Sequence, residues 1–171
     1  KGYDGAIKDV NGQSKSVRHD RPVIAQFGVN KEGSGDMYYK GALMLNTIRH
    51  IINDDAKWWK LLYNYSETYK KQIIDTKTVI DYFNKESGLD LTSVFNQYLT
   101  TTKIPKLVLS KTGNKLSYEW QNVNTDFKMP VDIVVNEKTI RLQPTNSKQV
   151  MKIDKKIELE NIEVKTNQFF I

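Results

Sequence analysis

The stretch Phe95-Asn96-Gln97-Tyr98-Leu99-Thr100-Thr101-Thr102-Lys103-Ile104-Pro105-Lys106-Leu107-Val108-Leu109 divides the chain in two. Before it, apolar residues recur at three- and four-residue spacing, as amphipathic helices require. After it they alternate, as strands with one buried face require. Working back from the divide, Leu91, Val94, Phe95 and Tyr98 share one side of a helix opened by Asp90. A shorter helix before it starts at a Thr76 cap and carries Val79, Ile80 and Phe83, with Gly88 suited to its C-terminal cap. Trp58, Leu61, Leu62, Tyr65 and Tyr69 form the stripe of another, flanked by Trp59 and Tyr63. Asn53-Asp54-Asp55 breaks one helix and caps the next. The earliest of the four has Asp36 as its expected N-cap. It places Tyr38, Ala42, Leu45, Ile48 and Ile52 on an apolar face, opposite Asn46, Arg49, His50 and Asn53.

Forward of the divide, strands are expected at Lys106–Leu109, Lys115–Trp120, Val131–Val135, Lys138–Leu142, Gln149–Ile153 and Ile162–Val164. Gly113-Asn114 and Asn136-Glu137 sit where hairpin turns fall. The expected fold class is therefore α+β, about four helices followed by a small antiparallel β-sandwich. Residues 1–35 hold six of the nine glycines and keep no helical or strand period, so they are expected as an extended lead-in. Within them, the short apolar stretch Pro22–Phe27 is expected to dock on a larger body. The divisions are 1–35 lead-in, 36–103 helical part and 104–171 β-sandwich. A lead-in of that length is unusual for a compact domain and fits a chain torn from a longer one.

Composition narrows the function classes. With 39% hydrophobic and 27% charged residues among 171, disorder and collagen are excluded; the absence of cysteine excludes a disulfide scaffold, thiolate nucleophiles and Cys-ligated zinc. No apolar run reaches the roughly 18 residues a membrane span needs. The net charge of +6 is spread evenly: 15 basic and 12 acidic residues up to Lys103, 11 and 8 from Ile104. A nucleic-acid footprint concentrates charge on one stripe or tail, so no nucleic-acid partner is expected.

Few residues offer chemistry of their own. His19 and His50 are the only histidines, too far apart in sequence for a helical zinc pair, and both read as ordinary residues: His19 in a solvated loop, His50 on a polar helix face. Gly33-Ser34-Gly35-Asp36 lacks the Gly-Lys-Ser/Thr ending of a phosphate loop and reads as a flexible helix entry. Asp54-Asp55 is explained by capping, and Trp58-Trp59 by a core or seam. No Gly-x-Ser-x-Gly elbow occurs. No metal-binding or cofactor-binding residue is expected in the chain.

One segment carries a family pattern. Asp36-Met37-Tyr38-Tyr39-Lys40-Gly41-Ala42-Leu43-Met44-Leu45 contains Tyr-x-Lys-Gly at the head of an apolar helix. With Ser87-Gly88-Leu89-Asp90-Leu91, Phe95-Asn96-Gln97-Tyr98-Leu99, Ile104-Pro105-Lys106-Leu107 and the closing Val164–Ile171, it resembles the gluzincin zinc aminopeptidase family, which includes aminopeptidase N and leukotriene-A-four hydrolase. Tyr98 replaces the family's usual Trp. The resemblance covers roughly residues 20–171. It departs in one respect: the family's HExxH helix and third zinc ligand precede Tyr-x-Lys-Gly, and nothing before Tyr38 matches them.

The resemblance implies the C-terminal part of a peptidase catalytic domain plus its β-sandwich, without the zinc-binding half. It implies zinc and a peptide substrate in the longer protein, and a chain that is inactive alone. Members with this style of sequence often work outside the bacterial cytoplasm. The resemblance also makes Tyr38 the catalytic phenol that hydrogen-bonds the developing oxyanion. A phenol keeps its proton at neutral pH, and a donor placed where charge develops is worth about a hundred- to a thousandfold in rate. The alternative from another class is a non-catalytic binding or scaffold module that has lost the metal site.

Overall fold

The computed structural model describes residues 2–26 and 28–171. Helix α1 runs Gly2–Gly12, α2 Tyr39–Ile52, α3 Asp55–Tyr69, α4 Thr76–Ser87 and α5 Thr92–Thr100. Strands follow at Lys106–Thr112 (β1), Lys115–Gln121 (β2), Val131–Val135 (β3), Lys138–Leu142 (β4), Gln149–Lys152 (β5) and Ile162–Val164 (β6). The fold is α+β, with five helices among the described residues and two small antiparallel sheets.

Local chemistry explains most boundaries. Asp54 accepts the Lys57 N–H at 2.9 Å and so caps α3, while Asn53 ends α2 in the left-handed region at φ 53°. Asp75, rather than Thr76, caps α4 by accepting from the Thr78 N–H at 2.7 Å; Gly88 ends it at φ 70°. A carboxylate one residue earlier is the stronger acceptor for that orphan amide.

The lead-in departs most from expectation. Instead of extended chain, residues 2–12 form α1, which packs beside α2. Its glycines hide the period, but burial of Ile7 and a bond from Asn11 Nδ2 to Asn167 O at 3.3 Å give the helix tertiary support. Tertiary contact here overrides low propensity. The Pro22–Ala25 stretch does dock, with Ile24 N–H donating to Leu99 O of α5 at 3.0 Å; Phe27 lies outside the described residues.

The sheets have orders β1-β2-β5 and β4-β3-β6. Asn136 and Glu137, at φ 49° and 63°, form the two-residue turn between β3 and β4, whose twist matches that of paired strands. Both sheets and helices α2 to α5 feed one core. Leu116 and Trp120 of β2 and Ile133 of β3 belong to the same buried cluster as Ile48, Trp58, Phe83 and Tyr98.

Polar bonds stitch the helices to the strands. Gln97, fully buried, donates to Lys103 O at 3.0 Å and accepts the Asn124 N–H at 2.8 Å. The Tyr98 hydroxyl donates to Phe170 O at 2.5 Å, and burial pushes its pKa far above the usual tyrosine value. Phe170 N–H donates in turn to Thr47 Oγ1 at 2.9 Å. The end of the chain is thus strapped along α2 and α5.

Candidate functional site: the Tyr38 turn and its cleft

Tyr38 leaves the backbone at the junction of a short 3-10 turn, Gly35–Met37, with α2. Two features of the preceding loop build that junction. Gly33 is required because a Cβ there would stand 1.9 Å from Val23 O, so only glycine allows the two backbone segments to approach. Ser34, buried beside it, donates its backbone N–H to Pro22 O at 3.0 Å and its hydroxyl to Asp20 Oδ1, and caps the turn by accepting the Asp36 N–H at 3.1 Å. That hydroxyl is the main reason the Asp20 carboxyl sits below the ordinary aspartate range. Gly33-Ser34-Gly35-Asp36 is therefore a fixed clasp, not a flexible helix entry.

Asp36 does not cap α2 as expected. Its side chain, 1% exposed, turns back to accept the Arg18 N–H at Oδ1 (2.8 Å) and the His19 N–H at Oδ2 (2.9 Å). His19 adopts φ 55°, in the left-handed region, and its imidazole is exposed. On the other side of Tyr38, Lys40 is also 1% exposed and donates from Nζ to Thr101 O at 2.6 Å. Burial lowers the Lys40 pKa below the usual lysine value, and the charge of Asp36 works against that shift.

Between these anchors Tyr38 itself is 72% exposed. It stands at the edge of a cleft of about 550 Å³ whose walls come from α2, α3, α4 and α5. Leu45, Tyr65, Val79, Phe83, Phe95 and Leu99 line it, so the surface beside the phenol is almost wholly apolar. Burial raises the Tyr65 pKa; Tyr82 packs edge to face on Tyr65 and Tyr69, and those two are tilted against each other, all at 5.3–5.5 Å between centroids. The arrangement sets two phenols, Tyr38 at the rim and Tyr65 in the wall, against an otherwise apolar trough.

The other residues singled out from sequence lie elsewhere. His50 is not on a solvated face: it is 7% exposed, with Nδ1 2.8 Å from Asn46 O and its ring 6.2 Å from Phe169. The residues that cover it come from the far end of the chain, beyond the reach of helical periodicity. Asp55 pairs bidentately with Arg49, both bonds 2.7 Å, and that pairing lowers the Asp55 pKa. Trp58 fills the core, but Trp59 is exposed, with the Arg49 guanidinium 5.5 Å from its ring centroid. Among the described residues, no group of three or more His, Asp or Glu side chains gathers to hold a metal ion. The roles of Asp36 and Lys40 escaped sequence reading because their partners lie 17 to 61 residues away. For Lys40 the Tyr-x-Lys-Gly pattern was the available signal.

No model of a known protein family matches this sequence, and no curated protein matches it.

Proposed function

We propose that this chain is the C-terminal part of a zinc aminopeptidase catalytic domain together with its β-sandwich, and that Tyr38 is its catalytic donor. The observation that carries the reading is the placement of Tyr38: an exposed phenol on a turn anchored by the buried, hydrogen-bonded Asp36, at the rim of an apolar cleft. An oxyanion donor must face open space from a backbone anchored by something other than its substrate; Tyr38 is exposed, and the backbone beneath it is anchored through Asp36. The residues described here do not compose a zinc site, so in this reading the metal ligands belong to a preceding half of the protein. What this chain supplies is the donor for a peptide carbonyl oxygen gaining negative charge, and helices that wall the site. No helix here is long and apolar enough to cross a membrane.

The second reading is a binding module without metal, which draws on the same cleft. Its apolar walls, with Met37 and Tyr39 exposed nearby, suit an apolar segment as well as they suit a catalytic neighbour. The coding sequence immediately upstream of Lys1 separates the two. An in-frame His-Glu-x-x-His with a downstream Glu, and chelator-sensitive release of N-terminal residues by the full product, support the peptidase. A start site or signal cleavage next to Lys1 would leave the binding module.

A further inference from the structure

We propose that Asp36 is the positioning residue of Tyr38, fixing the direction of the phenol through the turn between them. The proposal rests on the reading of Tyr38 as the donor. A side chain as exposed as Tyr38 is not held by its own packing, so its direction is inherited from its backbone. On the N-terminal side of Tyr38 the backbone–backbone bonds are long, whereas its own carbonyl accepts the Ala42 N–H of α2 at 3.0 Å. The turn closes with Met37 N–H to Ser34 O at 3.3 Å and Tyr38 N–H to Gly35 O at 3.5 Å, and no side chain caps α2. Those are long contacts for a structural hydrogen bond.

The strong bonds are the two that Asp36 accepts, 2.8 and 2.9 Å, from backbone amides of the Arg18–His19 segment. Each is a charge-assisted bond to a buried carboxylate, the strong kind. They join residue 36 to a segment 17 and 18 residues earlier, and His19's positive φ accompanies this pairing. Lys40, four residues on, is anchored to Thr101 O and lies within the field of Asp36. Tyr38 thus sits between one anchor to the N-terminal loop and one to the end of α5.

Asp36→Asn tests this while keeping size and one acceptor oxygen. Its amide NH₂ would face one of the two backbone N–H groups, so one bond of the clamp is lost. In the full 171-residue chain, a 3-fluorotyrosine at position 38 reports the phenol's environment by ¹⁹F NMR, with a second label at exposed Tyr63 of α3 as control. The expected result is a shifted or broadened Tyr38 line, an unmoved Tyr63 line, and faster amide exchange at Arg18 or His19, whichever loses its acceptor. An unchanged Tyr38 line alongside faster exchange at either amide overturns the proposal, because the clamp then loosens without moving the phenol. Unchanged exchange overturns it as well. If Asp36→Asn does not fold, Asp36→Glu keeps the charge, displaces it by one methylene, and is read by the same lines.

In the zinc-loaded full-length protein, Asp36→Asn should lower kcat about a hundredfold with KM little changed, the scale expected for a misplaced catalytic group. Combined with Tyr38→Phe, it should add nothing to the loss from Tyr38→Phe alone. A normal kcat in Tyr38→Phe would remove the catalytic reading, while the ¹⁹F result would still decide whether Asp36 directs the phenol.

Discussion

The two ends of helix α2 are built on opposite plans. At its start, Met37, Tyr38 and Tyr39 are exposed, and the chain beneath them is pinned by hydrogen bonds from the preceding loop to the buried Asp36 carboxylate. At its finish, His50 and Ile51 are buried, and their carbonyls are taken by a side chain from the sheet: Arg141 donates to His50 O at 2.8 Å and to Ile51 O at 3.2 Å. The same guanidinium pairs with Asp132 across β3 and β4 at 2.8 and 3.0 Å. One end spends its buried polar groups on presenting an exposed side chain. The other spends them on joining helices to strands. Along this segment the exposed apolar side chains stand at the start and the buried ones at the finish, and the stability of the molecule should depend unequally on the two ends.

The largest test of that inequality is Arg141→Met. It strands the nearly buried Asp132 carboxylate and returns two helix carbonyls to poor company, and breaking a buried pair this way costs about 3–5 kcal/mol. Denaturant unfolding that shows a loss under about 1 kcal/mol would mean the seam is held by apolar packing alone. Tyr98→Phe should cost less, about 1–3 kcal/mol, because it leaves the Phe170 carbonyl without its donor while filling the same space. A neutral result there would separate the chain's end from the stability of the seam.

The third test is pH. Burial lowers the His50 pKa from 6.5, and Arg49 adds to that; the Asn46 carbonyl, Asp55 and Asp132 oppose it. As pH falls through 6.5 the unfolded chain takes up a proton that the folded chain resists, so stability should fall from there and level off below the folded value. The slope should vanish in His50→Gln. A slope that survives the substitution assigns the effect to other groups.

The sequence was most legible where structure is local. Val131–Val135, Lys138–Leu142 and Ile162–Val164 are strands with the bounds their alternation predicts, and Asn136-Glu137 turns where two residues of positive φ are needed. Capping by Asp54 and the Gly88 stop were equally readable, since donor and acceptor lie within four residues. Reading failed wherever the partner is distant. α1 is supported from residue 167, Asp36 is claimed by amides before it, and His50 is covered by Phe169. Of the site, Tyr38 and the apolar positions of the cleft were visible as pattern. The clasp that holds Tyr38 was not, because Gly33 and Ser34 look like any flexible loop until Val23 and Pro22 are found against them.

The most direct measurement compares Tyr38→Phe with the unaltered protein in two assays. In the 171-residue chain, unfolding free energy should change by no more than about 0.5 kcal/mol, as for an exposed side chain outside the packing. On the proposed peptidase reading, kcat of the longer, zinc-loaded protein should fall about a hundred- to a thousandfold with KM little changed, because the bond is made in the transition state. A kcat near that of the unaltered protein would contradict the account and leave Tyr38 an exposed tyrosine at a helix start.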